Sequence, residues 1–473
     1  MGRFTRGVEI AGSILAAGAM VLLAVRAALR LEMRWDTFMY HVPFAARRAG
    51  LGIPYESPPY LQACYNGFPP LPELLQGALW RISGSINGTG LLNYLALGLF
   101  VFFAWRYLEA RLWVLILLCL TAPLIHASSS YVDLFSNSLL AIAVSAFLAM
   151  LLFDRWMDAT LLTWALAGMA AAAWSKYTAM PVIGLLAFGF LVSYWRRRGD
   201  PRASRFAGWV LAALLIACVP YAKNWILYHN PTWPGGITAL RKYFPSLIDT
   251  GLMQNLQSPP PLHGSSQPGL FLHSLFEMGH PTSYPDRERW IIDQGNAWIA
   301  YRSGGFWVVG VVTASLAAVL LGFLSARRNG FVVAIALLIL GSVVSVLPQS
   351  HELRYFQFLP LTVAALVATL LPRVSERFPA TTLVILCLIL GEFAFISKIN
   401  RAYYRVERVG YEQAAAIWGV KPFWRTLEPG RTYCAVGFEP VAFLLTGPTM
   451  REFHIIDRPD AGLCPPNVAV LRK

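Results

Sequence analysis

Five ionisable residues stand out against the apolar chain around them: Asp36, Asp133, Lys176, Lys223 and Arg354. Each lies at or near the end of a long apolar stretch, where an unpaired charge is expensive and the default reading is functional. Two acids and three bases at one level would make a pocket that holds an anionic ligand and activates a nucleophile. Asp36, in Arg34-Trp35-Asp36-Thr37-Phe38-Met39-Tyr40-His41-Val42-Pro43, reads either as a general base where a helix leaves the membrane or as an N-cap. Asp133, after Ser128-Ser129-Ser130-Tyr131-Val132, has the same two readings. Arg354, in His351-Glu352-Leu353-Arg354-Tyr355-Phe356, either clamps a phosphate in its planar fork, pairs with Glu352 or snorkels to lipid phosphate. Lys176 and Lys223 are either donor-phosphate ligands or snorkelling cations. Tyr40, His41, Tyr355 and His351 flank these charges and are expected to touch substrate. His41 and His351 raise the question of a metal, but no His or Cys spacing makes a zinc site. No cofactor is expected, with a divalent ion left open. No P-loop, dinucleotide fingerprint or nucleophile-elbow serine is present, so nucleotide chemistry has no footing.

The elements that must position these residues are membrane helices. Of 473 residues, 56% are hydrophobic and only 14% charged, well under the quarter typical of soluble domains. Stretches near 8–30, 89–107, 206–228, 304–325, 330–348 and 379–397 are each about 18 residues or longer with few charges, enough for one helix to cross a bilayer. Less uniform stretches near 112–127, 134–153, 161–175, 178–195 and 356–373 bring the expectation to about eleven spans. The first follows Arg3 and Arg6, as a secretion signal would. Its apolar run is too long for that, and Arg26, Arg30 and Arg34 follow it instead of a cleavage site, so it reads as a retained helix.

A net charge of +14 invites a nucleic-acid reading that the distribution of charge rejects. Arg106 with Arg111, Arg155, the Arg196-Arg197-Arg198 run with Arg202 and Arg205, Arg327 with Arg328, and Arg373 with Arg377 fall in alternate short loops. This is the positive-inside pattern. It predicts a multi-pass membrane protein with a cytoplasmic N-terminus, and it puts the five ionisable residues and the C-terminus outside. No basic aromatic platform is present, so nucleic acid is not an expected partner, whereas anionic membrane lipids are. Cys119, Cys218 and Cys387 fall in apolar spans; Cys434 and Cys464 fall in the outer tail, a compartment that permits a disulfide.

The domain expectation is a transmembrane module over 1–397 and an extracytoplasmic segment over 398–473. Two outer loops interrupt the module, at 31–88 and 229–303. In the first, Trp35–Ala49 and Leu71–Ile82 have helical spacing and read as amphipathic helices lying along the interface. The tail carries strand-like runs at 433–437 and 467–471 and reads as a small α/β appendage.

Four stretches together resemble the C-type glycosyltransferase (GT-C) superfamily, in particular bacterial relatives of protein O-mannosyltransferases and lipid A aminoarabinose transferases. Asp36 to Pro43 is similar to the acidic first outer loop of that superfamily. Phe68-Pro69-Pro70-Leu71-Pro72 resembles its Pro-Pro-Leu turn, Lys223-Asn224-Trp225 through Asn230-Pro231 its exit into the large outer loop, and Arg354-Tyr355 through Pro360 its late Arg-Tyr element. The likeness covers roughly residues 10–400. It implies an all-α polytopic fold and transfer of a sugar from a polyprenyl-phosphate carrier to a cell-envelope lipid, glycan or protein. It also implies that Asp36 occupies the catalytic acidic position, Asp133 a second acidic position, and Arg354 a place where donor phosphate is held. One departure matters. Aminoarabinose transferases have a Lys before Pro-Pro where this chain has Phe68, so phosphate must be met by other cations. The Trp-Trp-Asp signature of the metal-dependent oligosaccharyltransferases is absent.

The residues agree with that chemistry. A polyprenyl phosphate is already a good leaving group, so one base suffices: Asp36 takes the acceptor's proton while cations stabilise the departing phosphate. The outcome is single-displacement inversion. A transporter or flippase without chemistry is the main alternative, but it would favour internal repeats and broken helices at the midplane, neither of which is visible. A scaffold would have no use for clustered opposite charges.

Overall fold

The computed structural model describes residues 2–32, 36–51, 55–56, 59–121, 127, 129–236, 242–249, 264–276, 308–350, 353–406, 408–409, 413, 416, 427–428, 430–436, 454–458 and 460–472. The chain opens with α1 (Gly2–Leu29) and the two-residue strand β1 (Leu31–Glu32). A π-helical turn, Thr37–His41, runs into α2 (Val42–Arg48), followed by β2 (Tyr55–Glu56), α3 (Pro59–Gly67) and α4 (Leu71–Ser83). Then come α5 (Leu91–Leu108), α6 (Leu112–Thr121), α7 (Asp133–Leu152), α8 (Ala159–Ala173), α9 (Met180–Arg196) and α10 (Pro201–Tyr228). Short strands β3 (Gly235–Gly236) and β4 (Ile248–Asp249) precede α11 (Gln267–Phe276). The last membrane helices are α12 (Ala314–Ser325), α13 (Arg327–Ser345), α14 (Phe358–Ser375) and α15 (Pro379–Val406). Strands β5 (Arg408–Val409), β6 (Thr432–Val436), β7 (His454–Arg458) and β8 (Ala469–Arg472) complete the chain.

Every apolar stretch expected to span coincides with a helix. Seven helices among the described residues are long and apolar enough to cross a membrane. The other four, at Leu112–Thr121, Ala159–Ala173, Val311–Ser325 and Pro379–Ala394, have apolar parts of only 10–17 residues, so eleven spans are not established. A 15-residue helix such as α8 is about 22 Å long, short of a hydrocarbon core about 30 Å thick.

α7 and α14 form the centre and are buried over 89% and 83% of their apolar windows, whereas α1 and α13 face outward along most of their length. α7 can be surrounded because its polar residues, Ser136, Asn137, Ser138 and Ser145, are small and buried. Its Ala-rich surface admits α8 so closely that a β-carbon at Gly168 would stand 2.6 Å from the Leu139 carbonyl oxygen. Small residues at such contacts replace the hydrophobic drive that lipid cannot supply.

α10 shows how a helix break is repaired. Pro220 lies inside it and has no N–H for the Ile216 carbonyl one turn back. The Trp174 indole Nε1 donates to that carbonyl instead, at 2.8 Å, and the Tyr221 hydroxyl donates to the Ala173 carbonyl, at 2.8 Å. The end of α8 is thereby locked to α10. Leu71 N also donates to the Trp174 carbonyl, at 3.1 Å, which ties in the start of α4.

The tail contains the two expected strands, as β6 and β8, and also β7 between them. Its sheet is parallel, in the order β2-β7-β6-β8, so the first outer loop contributes a strand to it. β1 pairs antiparallel with β5. Cys434 and Cys464 form a disulfide across 30 residues.

Candidate active site

Asp36 opens the π-turn with αR backbone angles, and its side chain makes no capping hydrogen bond. The N-cap reading therefore fails on geometry. Its Oδ2 lies 3.3 Å from an Arg354 terminal nitrogen, with the arginine side chain 2% exposed and the aspartate 14%. Arg354 thus turns inward and does not snorkel. It comes from a short 3-10 turn, Leu353–Phe356, just ahead of α14.

Asp133 is the first residue of α7, with Val132 at the cap position. Its carboxylate pairs with the Lys176 ammonium, which follows the locked end of α8. Burial pulls that ammonium below the usual lysine range, and Asp133 opposes the shift.

Tyr355 joins the two ion pairs. Its hydroxyl meets the Arg354 guanidinium at 2.8 Å, and the Lys176 ammonium stands 4.0 Å above its ring. The guanidinium also lies 5.3 Å from the Tyr131 ring centre, a cation–π arrangement that suits arginine. Burial, and then the Asp36 charge, raise the Tyr40 phenol well above its ordinary value, so it remains an O–H donor beside the cluster. Asp36, Arg354, Tyr355, Lys176, Asp133 and Tyr40 are therefore neighbours although they come from four separate stretches of chain.

Phe68, which stands where a lysine would in the aminoarabinose transferases, stacks edge-on between Tyr40 and Tyr177, at 5.9 and 6.0 Å between ring centres. Lys223 is not in the inner cluster. Its ammonium donates to the Asn66 carbonyl at the end of α3, beside Arg47 and Arg48, whose guanidinium carbons lie 4.0 and 4.4 Å from the Tyr65 ring centre. Among the described residues these three cations have no carboxylate partner, so they form a basic rim distinct from the neutralised interior.

His41 departs from its expected role. It is 4% exposed, and its Nδ1 lies 3.1 Å from Glu73 Oε1, so its ring is packed against α4. His351 and Glu352 lie outside the described residues, as does most of the 229–303 loop. Among the described residues no three His, Cys, Asp or Glu side chains converge as a metal ligand set.

Two buried asparagines hold the frame, and the sequence carried no signal for either. Asn137 accepts from Phe358 N at 3.0 Å and donates to the Asp133 and Arg354 carbonyls at 2.8 and 3.4 Å, joining the start of α7 to the arginine turn. Asn93 on α5 donates to the Ser129 and Tyr131 carbonyls at 3.0 and 2.6 Å and accepts from Phe135 N at 2.8 Å. Asn93→Ala removes three hydrogen bonds to buried backbone groups, a destabilisation of about 3 kcal/mol. The thermal midpoint of the purified protein should drop by several degrees, and an unchanged midpoint would refute the stapling role.

No protein-family model and no curated protein matches the chain. Solved structures do. It is similar to ArnT from Cupriavidus metallidurans in the apo state, with a TM-score of 0.55 and 14% identity over 95% of this chain and 86% of that one. It is similar also to the same protein bound to undecaprenyl phosphate, with a TM-score of 0.53 and 14% identity over 97% and 89%. At such low identity the likeness is one of fold, and ArnT is a lipid A aminoarabinose transferase with the GT-C architecture. This chain is a multi-pass membrane protein with the GT-C fold.

Proposed function

We propose that the chain is an inverting glycosyltransferase that moves a sugar from a polyprenyl-phosphate carrier to a cell-envelope lipid, glycan or protein at the outer face of the inner membrane. The observation that carries the reading is the Asp36 carboxylate held 3.3 Å from the buried Arg354 guanidinium, next to a second acid–base pair in a GT-C fold. A structural neighbour binds undecaprenyl phosphate, which supports a carrier of that class.

Asp36 accepts the proton of the acceptor's hydroxyl or amine as that atom attacks the anomeric carbon, and the bond from the anomeric carbon to the phosphate oxygen breaks with inversion. Arg354 orients Asp36, and with Lys176 it supplies positive charge toward the departing phosphate. Asp133 holds Lys176 in place. Tyr40 and Tyr355 provide hydroxyls at the sugar. Lys223, with Arg47 and Arg48, is the first positive charge a lipid phosphate meets at the rim.

The test is release of polyprenyl phosphate by the purified full chain, offered a panel of polyprenyl-phosphate sugars with mixed envelope acceptors. One donor class should be consumed. With that donor, Lys223→Gln should raise KM about fivefold and leave kcat unchanged, as expected for an exposed charge contact. A folded protein that consumes no donor in the panel would sink the reading.

A further inference from the structure

We propose that Glu73, acting through His41, is a positioning residue for Asp36. This rests on the reading of Asp36 as the base. Asp36 starts a π-turn, in which Val42 N donates to the Thr37 carbonyl five residues back. Such turns are rare, appear mostly as single turns within helices and are frequent at functional sites. Pro43 follows at once and has no N–H for the Met39 carbonyl. Asp36 makes no cap bond, so besides its pairing with Arg354 its placement depends on what grips the far end of the turn.

That end is His41. Its imidazole meets Glu73 at 3.1 Å, with both side chains buried, and the Tyr131 ring packs edge-on against it at 6.1 Å between centres. Glu73 lies in the first turn of α4. One turn on, Gln76 Nε2 donates to the Ser130 carbonyl at 2.6 Å, and Ser130 meets Thr89 hydroxyl-to-hydroxyl at 3.0 Å. Ser130 belongs to the segment that leads into Asp133. One buried face of α4 therefore grips both acid-bearing segments, with Glu73 on the Asp36 side and Gln76 on the Asp133 side. Gly77, beside them, lets the Ala45 backbone of α2 come within 2.6 Å of where a β-carbon would stand. The Glu73 Oε2 is buried without a partner, a costly arrangement in a helix that could have packed a leucine there. A need to hold His41 in one place accounts for it.

Glu73→Ala should lower kcat by about 10- to 100-fold with donor KM within about twofold of wild type, the range that follows from misplacing a reacting group by about 1 Å. Glu73→Gln can still bond the imidazole and should recover to within about fivefold of wild type. Hydrogen exchange of the peptide covering 36–48 should be faster in the alanine variant and near wild type in the glutamine variant, without donor present. Wild-type kcat in Glu73→Ala, a loss carried by KM, or a glutamine variant as impaired as the alanine one would each overturn the proposal. If the wild type consumes no donor, the glycosyltransferase reading fails, and the exchange of 36–48 still decides whether Glu73 holds that segment.

Discussion

Asp36→Asn should lower kcat by about 10²- to 10⁴-fold, the range general-base catalysis supplies, while donor affinity stays close to wild type. Asparagine keeps the size and one acceptor of aspartate but cannot take a proton. It also removes the carboxylate charge that lies 3.3 Å from the Arg354 guanidinium, which is 2% exposed. Losing one partner of a fully buried pair costs about 3–5 kcal/mol. The asparagine carbonyl can still accept from the guanidinium, so the loss of stability should be about 2 kcal/mol. Release of polyprenyl phosphate and the thermal midpoint, measured on the same preparation, separate the two effects. Equal release by variant and wild type would remove Asp36 from the mechanism, whatever the midpoint does.

The second large effect is at Arg354, where even lysine should fail. Arg354→Lys keeps the charge, yet kcat/KM should drop by about 10²- to 10³-fold. The guanidinium reaches Asp36 at 3.3 Å and the Tyr355 hydroxyl at 2.8 Å while lying against the Tyr355 ring at 4.7 Å. An ammonium is a compact point charge on a flexible stem and cannot hold an acid, a hydroxyl and a ring face at once in the manner of a planar fork. Lysine activity within about threefold of wild type would mean that Arg354 acts only as a charge.

Much of this arrangement is legible in the sequence, for definite reasons. Hydropathy marks each membrane helix because lipid requires apolar side chains and satisfied backbones along its whole thickness. It marks length less well: α6 and α8 are shorter than a bilayer needs and are supported by neighbouring helices. Asp36, Asp133, Lys176 and Arg354 are visible because each is a charge in an apolar setting, and counting loops assigns them to one side. Their pairing, Asp36 with Arg354 and Asp133 with Lys176, depends on the order in which helices pack, which spacing does not encode. Lys223 carries the same signal and lies elsewhere, since α10 turns it toward α3. Glu73 reads as an ordinary first-turn acid, and Asn93 and Asn137 are single carboxamides in apolar helices, so the residues that hold the frame leave no local pattern. β2 is two residues long and gains meaning only from a partner strand far along the chain.

That distant pairing governs when the protein can become competent. The segment bearing Asp36 lies between β1 and β2, and those strands bond to β5 and β7, with Tyr55 opposite Ile455. On the ribosome the first of these residues is made about 400 residues before the second, which at roughly 5–20 residues per second is on the order of 20–80 seconds. During that interval the membrane helices can insert and pack, but β2 has no partner strand. The strands that flank the Asp36 segment therefore pair only after the membrane helices have been made, and a chain interrupted before Ile455 would lack that clasp.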